Sequence, residues 1–459
     1  MSAVAARFTP VRARATAQIA AIPKLAPTIA SSVASLPKIA QHLFSLMLRN
    51  VASDGFAFTD PTNSAQFSAP GCVIAAPSFP LNTTGIDQDY VYNWTRDAAI
   101  AAMEIAAVNM PAAPGTGALP LIEYVTFAQQ CQNATQPGHF ARASFTIEGQ
   151  PRDWTDQDDG PALQSLAIMM AYSQLDAPTQ TIAQSIVTRN INYLMGAYQN
   201  STFNLWEEHS GASFFARASQ LRFFQAIQTN TLGVAVPLGI GAAITWLQNA
   251  LQQHWDGTRY VSVMPAPALY DPNIDIVCAC IYGAVPCTDT KLLATAAQLR
   301  SQWADDGSPS QYPINVADRA RGIGPLLGRY PGDTYDGDLG DHVEGDHPWA
   351  LCTSNFAELY YRLANTISST NAVPYDQLSA PFFNQIGVTQ TTAVNDAVTA
   401  LNNAGDAMLN AVVFHSDHLE LSEQFDGNTG YEKSVKNLTW SYAAFLSAVR
   451  AKTGQNVQG

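Results

Sequence analysis

The sequence predicts an all-α protein. Three observations carry that expectation: helix-length segments rich in Ala, Leu, Ile and Met recur along the chain, strand-like alternation is scarce, and the stretches between are rich in Gly, Pro and Asp. Residues 96–108 have helix-compatible spacing and are stopped by Pro111 and Pro114. Residues 161–172 follow Asp159-Gly160-Pro161, a helix start with Pro in the first turn, where its missing N–H costs nothing. Residues 179–198, 212–229, 235–253, 288–305, 351–365, 395–413 and 438–452 read as further helices. The loops between them carry Trp, Arg, Asp and Glu, the arrangement expected of functional groups held over a rigid scaffold. No exact repeat is visible, so helix count alone leaves a solenoid and a closed barrel both open.

The chain has 459 residues, of which 47% are hydrophobic and 13% charged, with a net charge of −14. An acidic surface argues against nucleic acid, which needs clustered Lys and Arg. No apolar run approaches the roughly 18–20 residues of a membrane-spanning helix, so no membrane partner is expected. Of the six cysteines, Cys278, Cys280 and Cys287 are clustered. They either close a local disulfide or stay as buried thiols; zinc is not expected, because no second Cys or His pair stands at a ligand spacing. Asn-X-Ser/Thr triplets at Asn82, Asn93, Asn133, Asn200 and Asn437 would accept glycans on a secreted chain. Residues 1–53 hold no Asp or Glu but carry Arg7, Arg12, Arg14, Lys24, Lys38 and Arg49. That stretch reads as a transit-like segment or as an Ala-rich amphipathic helix on the outside of the domain. The expected organisation is an Ala-rich basic extension over 1–40 and one catalytic domain over 41–459, with no separate domain after Trp440.

Two short stretches carry the chemistry: Asn204-Leu205-Trp206-Glu207-Glu208 and Leu421-Ser422-Glu423-Gln424-Phe425-Asp426. Each sets a carboxylate beside an aromatic ring or an amide. Breaking a glycosidic bond needs two such groups, a protonated acid to release the leaving oxygen and an ionised carboxylate on the other face of the sugar. Trp206, next to Glu207, is expected to exclude water and hold that carboxyl protonated.

Five segments, in order, resemble the glucoamylases of glycoside hydrolase family 15. They are Trp94-Thr95-Arg96-Asp97 within 89–97, then Asp159-Gly160-Pro161-Ala162-Leu163, then Leu205-Trp206-Glu207-Glu208 with Ser213-Phe214-Phe215. Next come Gly328-Arg329-Tyr330-Pro331 with Asp333-Thr334-Tyr335 and Pro348-Trp349, and finally Leu421-Ser422-Glu423-Gln424-Phe425-Asp426 with Leu438-Thr439-Trp440-Ser441-Tyr442. The resemblance implies an (α/α)6 toroid with long active-site loops and an inverting exo-hydrolase releasing β-glucose from the non-reducing ends of α-1,4-glucans and maltooligosaccharides. It implies Glu207 as general acid and Glu423 as general base. Arg96, Asp97 and Arg329 would grip the hydroxyls of the terminal glucose, with Arg329 also orienting Glu207. Tyr90 and Trp94 would line the reacting centre, Trp154 would stack on the sugar, and Trp206, Trp349 and Trp440 would complete the pocket. Glu208 would contact the next glucose, and Gln424 would hydrogen-bond the terminal one. The enzyme would need no cofactor and no metal, act as a monomer, and be secreted or periplasmic.

The chain departs from the family at Asn204, where Asp is usual, at Asp158 and at Gly332. An insertion between Asp333 and Trp349 holds Asp336, Asp338, Asp341, Glu344 and Asp346, either a Ca²⁺ site or a solvated acidic loop. His415, Asp417 and His418 lack a further ligand set at a metal-binding spacing. The alternatives are an α-1,6-glucosidase or another α-glucoside hydrolase of the same family, a phosphorylase on the same toroid, and a non-catalytic carbohydrate-binding protein. Intact Glu207 and Glu423 argue against the last two.

Overall fold

The computed structural model describes residues 35–60, 63–77, 90–108, 117–136, 139–338 and 345–453. Fourteen α-helices stand among them. They are α1 (Leu36–Leu48), α2 (Thr95–Val108), α3 (Leu119–Ala134), α4 (Asp159–Ala171), α5 (Ala177–Ala197), α6 (Phe214–Gln228) and α7 (Ile240–Gln253), followed by α8 (Asp275–Ile281), α9 (Thr290–Ala304), α10 (Pro313–Arg321), α11 (Ala350–Thr370), α12 (Ala380–Asn384), α13 (Val394–His415) and α14 (Thr439–Lys452).

Six of these close a ring. Helix α2 packs on α4, α4 on α6, α6 on α8, α8 on α11, α11 on α14, and α14 returns to α2. The ring helices are buried nearly all round: every residue from Arg96 to Ala106 in α2, and all seven of α8. A helix apolar on all faces must lie inside the fold. Helices α3, α5, α7, α9, α13 and α1 form the outer layer, packing on α2, α4, α6, α8, α11 and α14 in turn. These are one-sided. In α7 the buried set is Ile240, Ala243, Ile244, Leu247, Ala250 and Leu251, the i, i+3, i+4, i+7 stripe of an amphipathic helix. Six inner and six outer helices make the (α/α)6 toroid, and the solenoid alternative is excluded.

All nine helices read from the sequence are present. The segment expected from 235 begins at Ile240, because Pro237 and the left-handed Gly239 (φ 87°) precede it. The sequence reading omitted α3, α8, α10 and α12. The apolar run Ile276–Ile281 is seven-residue α8 territory that composition alone cannot separate from a strand. Helix α1 crosses the boundary expected at 40/41: Leu36, Ile39, Leu43 and Met47 are buried and the helix packs on α14, so the folded unit extends back at least to residue 35. The rest of the expected extension lies outside the described residues.

Inside the ring a belt of buried charge ties the helices together. Arg450 of α14 grips Glu104 of α2, with Nη2 to Oε1 at 2.7 Å. Arg362 of α11 pairs with Glu358 at 2.6 Å and donates to the Cys280 carbonyl at the end of α8. Removing one partner of such a pair leaves an uncompensated buried charge. All six cysteines are free and Cys72, Cys131, Cys278, Cys280 and Cys352 are buried, which favours the thiol reading over a local disulfide. Among the described residues no helix is long and apolar enough to cross a membrane.

The strands are short ties at one end of the ring. β1 (Asn93–Trp94) pairs with β2 (Ser144–Phe145); β3 (Thr202–Phe203), β4 (Ser210–Ser213) and β5 (Val263–Met264) form a three-stranded sheet; β6 (Gln424–Phe425) pairs with β7 (Glu432–Lys433). β1 runs directly into α2 and β4 into α6, where Ser213 Oγ caps the helix by accepting from Ala216 N. The motif residues therefore collect where the inner helices begin.

Asp275, in the first turn of α8, is fully buried and accepts from Ser262 Oγ. Burial pushes its carboxyl up to about 8, so the folded protein keeps a proton that the unfolded chain releases near the ordinary value of about 4. Between those values stability must fall as pH rises. Asp275→Asn mimics the protonated acid. Its melting temperature should exceed the parent's at about pH 8 and converge with it at about pH 4; thermal melts across that range check the sign.

Candidate active site

Glu207 sits on a tight loop between β3 and β4. The Asn204 carbonyl accepts from Glu207 N at 3.0 Å, and Asn204 Oδ1 accepts from Glu208 N and His209 N, both at 3.0 Å. These bonds hold Glu207 at φ 65°, a left-handed conformation that costs a non-glycine residue about 1–2 kcal/mol. The turned backbone aims the carboxylate at two indoles. Trp94 Nε1 donates to Oε1 at 3.0 Å and Trp154 Nε1 donates to Oε2 at 2.5 Å. Arg96 Nη2 lies 3.7 Å from Oε1. Burial raises the Glu207 pKa, while Arg96 and the two indole N–H groups pull it back.

The expectation that Trp206 dries Glu207 is corrected here. Trp206 packs against Trp440 (6.2 Å between centroids) and Trp349 (5.8 Å), and its Nε1 donates to Asn273 Oδ1 at 2.9 Å. The left-handed turn at Glu207 sends neighbouring side chains to different places: Trp206 joins the indole cluster, while Trp94 and Trp154 donate to the Glu207 carboxylate. The three indoles of Trp206, Trp349 and Trp440 form an aromatic floor. Arg96 lies over Trp440 at 5.2 Å and Arg329 over Trp349 at 4.9 Å.

Arg96 is buried at the start of α2 and donates to Gln157 Oε1 (3.0 Å) and Asp159 Oδ2 (3.2 Å). Its Nε is 3.7 Å from Asp97. Burial, set against the neighbouring Arg96, leaves the Asp97 carboxyl pushed up to about 7.

Glu423 precedes β6 and is surrounded by hydroxyls. Tyr90 Oη donates to Oε1 at 3.0 Å, Tyr335 Oη donates to Oε2 at 3.1 Å, and Ser434 Oγ donates to Oε2. Tyr90 and Tyr335 are themselves 2.7 Å apart. Burial raises the Glu423 pKa; the Ser434 and Tyr90 hydroxyls, Arg329 and the Tyr335 hydroxyl oppose it. The Tyr90 ring also meets Trp94 at 5.9 Å, so the two carboxylates are joined through Glu207–Trp94–Tyr90–Glu423.

Arg329 does not serve Glu207. It forms a fork with Asp333, both bonds at 2.7 Å, and reaches Glu208 Oε1 at 2.9 Å. Glu208 also accepts from Tyr330 Oη (3.0 Å) and Tyr270 Oη (2.7 Å). Gln424 is a second correction. It is fully buried, its Oε1 accepts from Gly337 N and its Nε2 donates to the Tyr335 carbonyl, both at 3.1 Å. Its amide holds the 335–337 loop, and the side chain is shielded from solvent.

The described carboxylates of the acidic insertion are paired within the protein. Asp336 pairs with Lys433 (2.9 Å) and His347 (3.2 Å), Asp338 accepts from Ser434 N (3.1 Å), and Asp346 accepts from Trp303 Nε1 (3.0 Å) and Tyr312 Oη (2.8 Å). Asp341 and Glu344 lie outside the described residues. Among the described residues no group of three His, Cys, Asp or Glu could hold a metal. His415 bonds Asp318 at 2.8 Å, away from the exposed His418–Asp417 pair.

Sequence reasoning missed Ser434, Tyr335, Tyr270 and Tyr330 as members of the site. Tyr330 and Tyr335 stood inside a quoted motif and were legible there. Ser434 and Tyr270 reach the site only through the β6–β7 hairpin and the loop between β5 and α8, which carry no local signal.

Residues 45–450 match the sequence profile of Glycosyl hydrolases family 15. The chain is 28% identical to glucoamylase 1 of Rhizopus oryzae, over 94% of this chain and 73% of that protein. It is 25% identical to a glucoamylase of Saccharomycopsis fibuligera, over 88% of this chain and 87% of the other. The solved family 15 glucoamylase of Hypocrea jecorina superposes with a TM-score of 0.75 at 25% identity, covering 92% of this chain and 72% of that one. The ring of helices, the ordered motifs and a profile match spanning most of the chain agree: this chain belongs to glycosyl hydrolase family 15.

Proposed function

We propose that the chain is a glucan 1,4-α-glucosidase that removes glucose from the non-reducing ends of α-glucans and maltooligosaccharides with inversion. The observation that carries this reading is a pair of carboxyls at one end of the toroid, Glu207 half-buried and Glu423 buried, linked through Trp94 and Tyr90. Glu207 lies among indole rings, and Glu423 lies among three hydroxyl donors. Burial raises both carboxyls, opposed at Glu207 by Arg96 and two indole N–H groups and at Glu423 by three hydroxyls and Arg329; motif order assigns Glu207 as the acid and Glu423 as the base.

In the proposed reaction Glu207 gives its proton to the glycosidic oxygen as the bond from that oxygen to C1 breaks. Glu423 takes a proton from a water molecule, whose oxygen attacks C1 from the opposite face. The products are β-glucose and a shortened glucan, with Glu207 ionised and Glu423 protonated until the protons re-equilibrate. Arg96 and Asp97 grip the hydroxyls of the departing glucose, the indoles of Trp94 and Trp154 receive its apolar C–H face, and Glu208 meets the next sugar. Charged hydrogen bonds are the stronger kind, which suits Arg and Asp to that task. A secreted or periplasmic site of action fits a polymer that does not cross membranes.

Glu207→Gln and Glu423→Gln should each lower kcat on maltose by at least about 100-fold, with circular dichroism unchanged. Near-parental turnover in either variant means that the wrong carboxylates have been assigned. Ser434→Ala removes a donor to ionised Glu423, which raises its pKa, so the base needs a higher pH to ionise. The acid limb of the kcat/KM profile should move up by about one pH unit, with the alkaline limb in place. A downward shift would contradict the role given to this hydroxyl.

A further inference from the structure

Asn204 is fully buried beneath the loop that carries Glu207 and Glu208. Its carboxamide can sit in only one orientation. Oδ1 is taken by two backbone donors, Glu208 N and His209 N, each at 3.0 Å. The amino end must therefore face Tyr270, and Nδ2 lies 2.6 Å from Tyr270 Oη. A phenol has one proton. With its oxygen already accepting from Asn204, Tyr270 directs that proton to Glu208 Oε2 at 2.7 Å. The Tyr270 ring is fixed for this by Tyr330 (4.4 Å) and His209 (4.5 Å, edge to face).

We propose that Asn204 is a positioning residue for recognition of the leaving-group sugar: its amide polarises a one-way relay, Asn204 to Tyr270 to Glu208, that holds Glu208 ready for the hydroxyls of the second glucose. The proposal rests on the glucosidase reading above. An Asp at this position would keep the loop, because one carboxylate oxygen can accept both backbone N–H groups. Its other oxygen, facing Tyr270 at the same distance, would claim the phenolic proton. Glu208 would lose that donor and face a lone pair, while Arg329 and Tyr330 remained.

The test compares maltose with 4-nitrophenyl α-D-glucopyranoside, whose leaving group has no sugar hydroxyls. The full-length parent, Asn204→Asp, Tyr270→Phe and the double variant are assayed at neutral pH. Asn204→Asp should raise KM for maltose by roughly tenfold or more, the size expected for one lost bond to a charged acceptor. The rise on the aryl glucoside should be at least several times smaller, and kcat on maltose should change less than KM. Tyr270→Phe should show the same substrate split. The double variant should be no worse on maltose than Tyr270→Phe alone, because without the phenol the new carboxylate has no proton to take. Equal losses on both substrates, additive losses in the double variant, or parental kinetics in Asn204→Asp would each overturn the relay. If Asn204→Asp does not fold, Tyr270→Phe decides: a maltose-selective KM defect supports the relay, and an unselective one overturns it. A parent inactive on both substrates would instead sink the glucosidase reading, and the relay with it.

Discussion

Two buried guanidiniums hold the site in place. A cation in a low-dielectric interior survives only if carboxylates and hydrogen-bond acceptors surround it. Arg96 draws Asp97, Asp159, Gln157 and Glu207 towards one point, and Arg329 draws Asp333 and Glu208 towards another. The first group joins the starts of α2 and α4 to the loop before α6. The second joins that loop to the segment leading into α11. Compensating these charges is therefore the same act as assembling the site, and the aromatic floor of Trp206, Trp349 and Trp440 supplies the water-poor surface on which both cations lie.

The ring explains why the loops converge. Each inner helix follows a loop that bears site residues, and the closed order α2, α4, α6, α8, α11, α14 brings those loops to one end. Helix starts carry partial positive charge from unpaired N–H groups, so Asp97, Asp159 and Asp275, all in first turns, sit where a carboxylate is favoured. The opposing cost is dehydration, visible in the raised carboxyls of Asp97, Glu207, Asp275 and Glu423.

The fold was legible in the sequence where a helix was long and its composition unambiguous, as in α2, α5 and α13. It was not legible in α8, whose six apolar residues after Asp275 have no periodicity to read; α1, with its Leu36, Ile39, Leu43 and Met47 stripe, is over 36–48 the amphipathic outer helix that was one reading of the N-terminal segment. The two carboxylates proposed as acid and base could be named from motif order, but not their surroundings. Trp206 is next to Glu207 in sequence and yet packs on Trp349 and Trp440, because one left-handed residue turns the chain between them. Gln424 looked like a sugar ligand and is spent on backbone groups of 335–337. The carboxylates of the insertion looked like a cation site or solvated charge; Asp336, Asp338 and Asp346 instead bind Lys433, Ser434 and Trp303. The side-chain misses concern partners distant in sequence, which residue types at local spacing do not encode.

The central claim is that Glu207 and Glu423 act from opposite faces of the sugar, one on the leaving oxygen and one through water. A carboxyl separation of roughly 6.5–9.5 Å leaves room for that water, whereas a nucleophile would stand closer. Proton NMR of the anomeric region during the first minutes of maltose hydrolysis separates the two directly. The account predicts that the β-glucose signal grows first from the newly cleaved end and that α-glucose in excess of that from the reducing end appears only as mutarotation proceeds. An initial burst of α-glucose from the cleaved end would contradict it and would assign one of these carboxylates to direct attack on the anomeric carbon.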